Sequence, residues 1–288
     1  MKIQNLLLAM LVTINFIIFE GIRYDLNQND LLEIYFLDVG QGDSILIKTP
    51  NGSFGLIDTG RESNILTALN EINLKIDKFE FVIITHPDAD HYEGILELTE
   101  YYDIRKLFLN KTKKDGDLYL EVIRKLHLKD IKTFLLYSST DFTLDSVDFD
   151  ILWPISLEET YIFDNINDSS TAILITFGNL SMYSAGDLSS QYELESISQL
   201  EIQDIDILKV GHHGSKASTS FEFLEKISPE ICVVQVGEGN QYGHPNNEIL
   251  INIQKIGATM LRTDSLGNIK ISSNGEFIFL RNGAKIEV

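Results

Sequence analysis

The segment Thr85-His86-Pro87-Asp88-Ala89-Asp90-His91 places two imidazoles and two carboxylates within six residues. It follows the apolar run Phe81-Val82-Ile83-Ile84, which is short and rich in β-branched residues and so reads as a buried strand. Pro87 stops that strand. The ligand-type residues therefore stand where a strand gives way to a loop, a position at which layered α/β proteins bind ligands. Neutral imidazole together with carboxylate oxygen suits a divalent first-row metal. An Asp-rich turn with incidental histidines is the plainer alternative. Against it, five of the six histidines fall in the same kind of place. Asp58, the 86–91 loop, Asp187, the pair His212-His213 and His244 all close apolar, strand-like runs.

The elements that must position them read as follows. Glu33–Val39, Ser44–Lys48 and Phe54–Asp58 form a β-meander, joined by Gly40-Gln41-Gly42-Asp43 and Pro50-Asn51-Gly52. A helix is predicted over Asn64–Asn70, a strand over 81–85, and a helix over Tyr92–Tyr101 directly after the ligand-rich loop. A strand over Lys106–Asn110 and a helix over 117–127 come next, with His127 at the helix end as a surface residue. Strands at 133–137, 142–144 and 147–153 precede an acidic loop over 154–168. Further strands cover 170–177, 179–184, 205–210 and 231–236, with helices from about Ser190, over Ser220–Ile227 and over Asn247–Ile256. Strands at 258–263, 268–272 and 276–280 close the chain. No internal repeat or low-complexity segment is present.

The bulk properties narrow the class. The 288 residues, 44% of them hydrophobic, suffice for one large domain with a sizeable core. The net charge of −20 argues against a surface that grips nucleic acid by charge alone, because such binding depends on Lys and Arg neutralising phosphates. It leaves room for a metal-dependent phosphoesterase, whose cations supply local positive charge. The single cysteine, Cys232, lies in an apolar run, so neither an intrachain disulfide nor a thiolate metal site is available. Residues 1–20 combine Lys2 with the apolar stretch Ile3–Phe19 and read as a signal peptide or N-terminal membrane anchor, residues 21–31 as a linker, and residues 32–288 as the catalytic domain. A core helix is the alternative for the first segment.

The motifs F-L-D-V-G-Q-G-D-S (36–44), D-T-G (58–60), T-H-P-D-A-D-H (85–91), A-G-D (185–187), K-V-G-H-H-G-S (209–215) and Y-G-H-P (242–245) occur in one order across nearly the whole domain. In that set the chain resembles metallo-β-lactamase-fold hydrolases, and more narrowly the ComEC-like group, the soluble hydrolase domain of a DNA-uptake channel protein and its stand-alone relatives. The resemblance implies an α/β fold, an αββα sandwich of two mixed sheets flanked by helices, with the site along one edge. It implies one or two divalent ions, Zn²⁺ or Mn²⁺. His86 and Asp88 would hold the first, and Asp90 and His91 the second. Asp187 would bridge them, and one of His212 and His213 would complete the second site. Asp58, Asp43 and Ser215 would support these ligands from behind, and His244 would stand at the substrate mouth. Most members of the wider fold carry a further histidine before the A-G-D strand; here that region reads Asn167-Asp168-Ser169-Ser170. That departure implies a weakly held first ion or an oxygen ligand from Asn167 or Asp168, and extra oxygen ligands favour Mn²⁺.

The chemistry expected is hydrolysis by metal-activated water. Asp88 or Asp90 would accept a proton, and His244 or the non-ligand member of the histidine pair would protonate the leaving group. Ser215 and Lys216 would contact a phosphate, unless they are a helix cap and a solvated lysine. The substrate expected is a small or polymeric phosphodiester, single-stranded DNA among them. The site would face the outside of the cytoplasmic membrane, exported or tethered by residues 1–20, in a stand-alone domain with at most that one anchor. Hydrolysis of another ester, lactone or amide is the second reading, and a non-catalytic part in an envelope assembly the third. The sequence leaves the oligomeric state open.

Overall fold

The computed structural model describes residues 31–110, 117–156, 163, 165–198, 200, 204–280 and 285–287. The signal or anchor segment, nearly all of the linker and part of the acidic 154–168 loop lie outside the described residues. Among the described residues no helix is long and apolar enough to cross a membrane.

In chain order the strands are β1 (Leu32–Phe36), β2 (Ile45–Lys48), β3 (Phe54–Ile57), β4 (Lys78–Phe79), β5 (Phe81–Ile84), β6 (Asp103–Ile104), β7 (Lys106–Leu109), β8 (Lys132–Leu135), β9 (Phe142–Leu144), β10 (Val147–Trp153), β11 (Ala172–Phe177), β12 (Leu180–Ser184), β13 (Ile207–Lys209), β14 (Ile231–Val234), β15 (Thr259–Arg262), β16 (Ile269–Ser273), β17 (Phe277–Leu280) and β18 (Lys285–Glu287). One sheet runs β18-β17-β16-β1-β2-β3-β5-β7-β8 and the other β15-β14-β13-β12-β11-β10-β9. Each is mixed. From β3 through β5 and β7 to β8 the pairing is parallel, as it is from β12 through β13 and β14 to β15; the remaining pairs of both sheets are antiparallel.

Alternation decides what each strand buries. Phe81 and Ile83 of β5 face the other sheet beside Phe149 and Ile175, while Val82 and Ile84 face the helices beside Leu69 and Leu98. Both faces of β5 are covered, which is why its sequence is apolar throughout. Burying one such side chain is worth about 1.5–3 kcal/mol. That exceeds the ~1 kcal/mol span of strand propensity, so packing sets the register. Gly55 leaves the space that the Phe81 ring fills; a Cβ there would stand 2.2 Å from it. Phe81 in turn meets Phe142 and Phe149 edge-on at 5.1 and 5.0 Å, joining the two sheets. On the outer face of the second sheet Leu208 and Val234 pack under Phe223, Leu224, Ile249 and Ile253 of helices 221–227 and 247–256. The result is the expected αββα sandwich.

Two expectations need correction. The helix after the ligand-rich loop does not begin at Tyr92. A first helix, α1 (Asn64–Ile72), is followed by α2 (Ala89–Tyr92) and α3 (Ile95–Tyr101). Asp88 is the N-cap of α2, so Asp90 and His91 stand inside a helical turn. Gly94 separates the two helices where the chain passes against the Thr59 carbonyl. The small sheet of β4 and β6 was also not foreseen, because two-residue strands carry no periodicity to read. Cys232 is buried and His127 exposed.

Candidate metal centre

The parallel halves of both sheets release their C-terminal ends at one edge, and the backbone stitches those ends together. Thr59 N–H donates to His91 O at 2.8 Å, Asp43 N–H to Asp90 O at 3.2 Å and His212 N–H to Gly186 O at 3.1 Å. Gly42, at φ +138°, permits the approach of Asp43 to Asp90; a Cβ there would stand 2.3 Å from the Asp90 carbonyl oxygen.

Asp58 organises the first pair of imidazoles. It sits at φ 59° immediately after β3, which turns its carboxylate back toward the neighbouring strand end. That carboxylate accepts from Thr85 N at 2.8 Å and Thr85 Oγ1 at 2.7 Å, and it lies 2.8 Å from His91 Nδ1. Because the Thr85 hydroxyl donates to Asp58, it is left to accept from His86 Nδ1 at 3.1 Å. One buried carboxylate thus fixes the rings of both His86 and His91. Burial opposes the His91 imidazolium, but Asp187 and Asp58 outweigh it and carry its pKa well above the usual value. Burial raises Asp58 as well, so both shifts keep a proton on this pair. His86 has no comparable anion, and burial followed by the His91 charge pushes its pKa far down.

A second cradle holds His213. Its Nδ1 lies 3.0 Å from Gln235 O and 3.2 Å from Asp43 Oδ1. Lys209, fully buried, donates to the other oxygen of Asp43 and to Gly186 O at 3.3 Å. Gln235 is pinned in turn, its Nε2 donating to Leu37 O at 3.0 Å and Ser44 O at 2.8 Å. Burial works to raise Asp43, but Lys209 and His213 more than offset it and keep the carboxyl below its usual range. Burial alone would lower His213; Asp187 and Asp43 instead raise it to about 10.

These supports leave the Nε2 atoms of His86, His91 and His213 buried with no hydrogen-bond partner, and Asp187 Oδ1 with them. An unsatisfied buried polar group costs about 1–3 kcal/mol, so four together call for a ligand. Asp187 stands at the centre. Its Oδ1 is 3.4 Å from His91 Nε2, and its Oδ2 is 3.5 Å from His212 Nε2, 3.7 Å from His213 Nε2 and 4.0 Å from His86 Nε2. Asp90 Oδ2 lies 3.5 Å from His213 Nε2, and Asp88 Oδ2 3.9 Å from His86 Nε2. Donors each about 2.0–2.2 Å from one ion stand no more than roughly 4.4 Å apart. In the sets His86/His91/Asp187 and Asp90/His91/His213 the donor atoms lie within 4.8 Å of one another, slightly wider than that limit. The donor set fits a divalent first-row ion. Burial works to raise Asp187, yet His213 and His91 hold it far below the usual range.

His212 and His213 are not alternatives of which one points away. Both take left-handed backbone angles, φ 47° and 54°, conformations that cost a non-glycine residue energy and persist where surrounding structure enforces them. Here Gly211 N–H donates to Thr219 Oγ1 at 2.9 Å, and Glu193 accepts from Thr219 N at 2.6 Å. The enforced turn sets the two rings 76° apart, yet brings both Nε2 atoms to Asp187. His213 is buried beside Asp90, whereas His212 is 25% exposed. Asn167 Nδ2 stands 3.4 Å from both ring nitrogens of His212. Asp168 belongs to none of the donor groups found among the described residues. Ser215 closes the turn through its N–H to His212 O at 2.8 Å, and its hydroxyl accepts from Ala217 N. Lys216 forms an exposed pair with Glu248 at 3.5 Å. His244 stacks edge-on to His212 at 5.7 Å, at the mouth.

Sequence reasoning assigned no role to Lys209, Gln235, Glu193, Arg61 or Tyr242. For the first two a signal existed: a Lys and a Gln inside the otherwise apolar runs 207–210 and 231–236. A buried polar residue in a central strand requires a partner.

The description "Metallo-beta-lactamase superfamily" matches residues 37–237. ComE operon protein 3 of Bacillus subtilis is 27% identical over 83% of this chain and 32% of its own length. Competence protein ComA of Neisseria gonorrhoeae is 28% identical over 81% of this chain and 31% of its own. The chain thus spans about a third of the length of the curated relatives it matches. Among solved structures, the metallo-beta-lactamase fold protein YhfI from Bacillus subtilis superimposes with a TM-score of 0.56 at 13% identity, covering 84% of this chain and 100% of that one.

Proposed function

The chain belongs to the metallo-beta-lactamase superfamily, and on that premise we propose that it is a metal-dependent phosphodiesterase that cleaves single-stranded DNA or a smaller phosphodiester. The observation that carries this reading is the convergence of three orphaned imidazole nitrogens on Asp187. Beside them, Asp88 and Asp90 form the floor of an open cleft of about 480 Å³. The relatives named for competence and the ComE operon favour a nucleic-acid substrate over a lactone or amide.

When bound, a divalent ion supplies hydroxide at neutral pH, by lowering the pKa of coordinated water towards about 7, and charge for a developing oxyanion. The remaining work falls to the chain. Asp58, Asp43 and Gln235 hold the ligand rings at fixed tautomers. Asp88, 31% exposed beside His86, is placed to take the proton of the attacking water. Burial, aided by His212 and His213, lowers the His244 pKa, so this ring is neutral at pH 7. As an acid toward the leaving group it must first take up the proton that the attacking water gives away. His212 is likewise lowered, by burial first, and stands between Asp187 and His244.

The test uses residues 24–288 with Mn²⁺ or Zn²⁺, single-stranded DNA and bis-p-nitrophenyl phosphate, beside the Asp90→Ala variant. Metal-dependent cleavage that the variant loses is the expected result. Bound metal with turnover only of lactones or amides would reject the phosphodiesterase reading. Residues 1–20 are proposed as the export signal or tether that places the site outside the cytoplasmic membrane; recovery of the full chain in the soluble cytoplasmic fraction would reject that.

A further inference from the structure

The cleft above the metal centre is lined by Gln41, Arg61, Asp88 and Asp90 on one side and by Asn240 and Tyr242 on the other. Tyr242 is 56% exposed, an unusual place for a large aromatic ring. Its loop is nevertheless locked by a single side chain. Asn240 Nδ2 donates to Gly237 O at 3.0 Å and His244 O at 2.7 Å, while its Oδ1 accepts from Tyr242 N and His244 N, each at 3.1 Å. Four bonds from one amide hold the backbone that presents the ring. The ring itself lies nearly parallel to His244, 18° between planes and 6.0 Å between centroids, and His244 abuts His212. Tyr242 is therefore two ring-to-ring steps from a residue beside Asp187, with its outer face bare. Across the cleft Arg61, 55% exposed, is the one cation of the lining among the described residues; Glu93 Oε2 lies 3.4 Å from its Nε.

Charge and shape together define what such a cleft can hold. With a net charge of −20 and one arginine in the lining, counterion release cannot supply much affinity for a polyanion. Base stacking can, because every nucleobase offers a π-face when it is unpaired. A platform already fixed by Asn240 loses little entropy on binding. Resting on the phosphodiesterase reading above, we propose that Tyr242 is the stacking platform for an unpaired nucleobase next to the scissile phosphate and that Arg61 holds one neighbouring phosphate. The substrate class is then single-stranded nucleic acid gripped over one or two nucleotides. Duplex DNA, whose bases are stacked on one another, is excluded from the platform.

The test uses the full chain loaded with metal. KM and kcat are measured on a short oligothymidylate and on the same oligomer carrying an abasic site, and binding of a cleavage-resistant phosphorothioate version is followed by fluorescence anisotropy. Tyr242→Ala is expected to weaken binding and raise KM by roughly 5- to 150-fold, the range for loss of one base–aromatic stack, with a much smaller change in kcat. Tyr242→Phe restores the wild-type values. The abasic site costs the wild type a similar factor, and combining it with Tyr242→Ala adds nothing further, as two deletions of one contact require. Arg61→Gln flattens a salt dependence whose log–log slope is about −0.7 for a single phosphate contact on a single strand. Intact cleavage with the same affinity in wild type and Tyr242→Ala, or a penalty at the abasic site that adds to that of the variant, would overturn the platform while leaving the phosphodiesterase standing. Absence of turnover on bis-p-nitrophenyl phosphate as well as on DNA would overturn both.

Discussion

The two sides of Asp187 are built differently. On one side His91 and His213 are held from behind, His91 by Asp58, His213 by Gln235 and Asp43, and Asp43 by a fully buried lysine, while Asp90 beside them is 27% exposed. On the other side His86 is buried, but its companions Asp88 and His212 are about a third and a quarter exposed, and Asn167 is the neighbour where related folds carry another histidine. Preorganised donors bind an ion without the cost of ordering them. We infer that the supported side is the tighter of two metal sites and that the other exchanges ligands and faces substrate. The cleft reaches both sides, through Asp88 and Asp90.

The largest effect should come from removing what both sides share. Asp187→Ala is expected to abolish stoichiometric metal binding, measured by elemental analysis, and to lower turnover by about 10³-fold or more, since the ion's charge stabilisation is worth several kcal/mol. A variant that still binds metal with wild-type affinity would break the picture of a shared ligand. Next in size is Lys209→Met, which leaves Asp43 buried without its cation. Breaking a buried pair from one end costs about 3–5 kcal/mol, read in urea unfolding, and disturbing such a support typically weakens metal binding by about 10–100-fold. The matching change on the open side, His212→Gln, is expected to cost less than about 1 kcal/mol of stability because the ring is partly exposed. Equal losses from the two variants would erase the comparison.

Metal titration by calorimetry should then show two unequal steps. Asp88→Ala is expected to remove the weaker step and leave the tighter one within about twofold; loss of the tight step instead would place the strong site beside His86. A separate effect concerns the clamp under both histidines. Burial raises Glu193 to about 8, the Thr219 hydrogen bonds opposing it only in part. Its folded pKa exceeds the ordinary 4.5, so the native state holds an extra proton between those values. The corresponding stability is fully present below about pH 4.5 and is lost as pH rises through about 8. Unfolding free energies at pH 6 and pH 9 should differ by about 1–3 kcal/mol more in the wild type than in Glu193→Gln, whose amide keeps the same partners. An identical pH slope in the two proteins would show that Glu193 is already ionised at pH 6.

How far the sequence could be read depended on the range of each signal. The run Phe81–Ile84 and the motif that follows it are local, and the strand they imply is present as β5. The start of α2 at Ala89 was missed although Asp88 is an ordinary N-cap residue, because a dense cluster of ligand types invites reading as loop. Whether His212 or His213 faces the centre had no local answer. The left-handed turn that brings both to Asp187 is imposed by Thr219 and Glu193 from outside the motif.

The amino-acid sequence by itself determined the alternating strands, the four-layer order implied by their resemblance, and the kinds of atoms available to a metal. These follow from side-chain chemistry and from periods of two and 3.6 along the chain. Only the tertiary structure decided which atoms meet. Lys209 reaches Asp43 across 166 positions, and Gln235 reaches Leu37 across 198. No local pattern encodes such a partner, because the partner is chosen by how two sheets stack and by the cost of leaving a buried charge or amide alone. The same packing separated a closed ligand set from an open one and left Tyr242 bare above them.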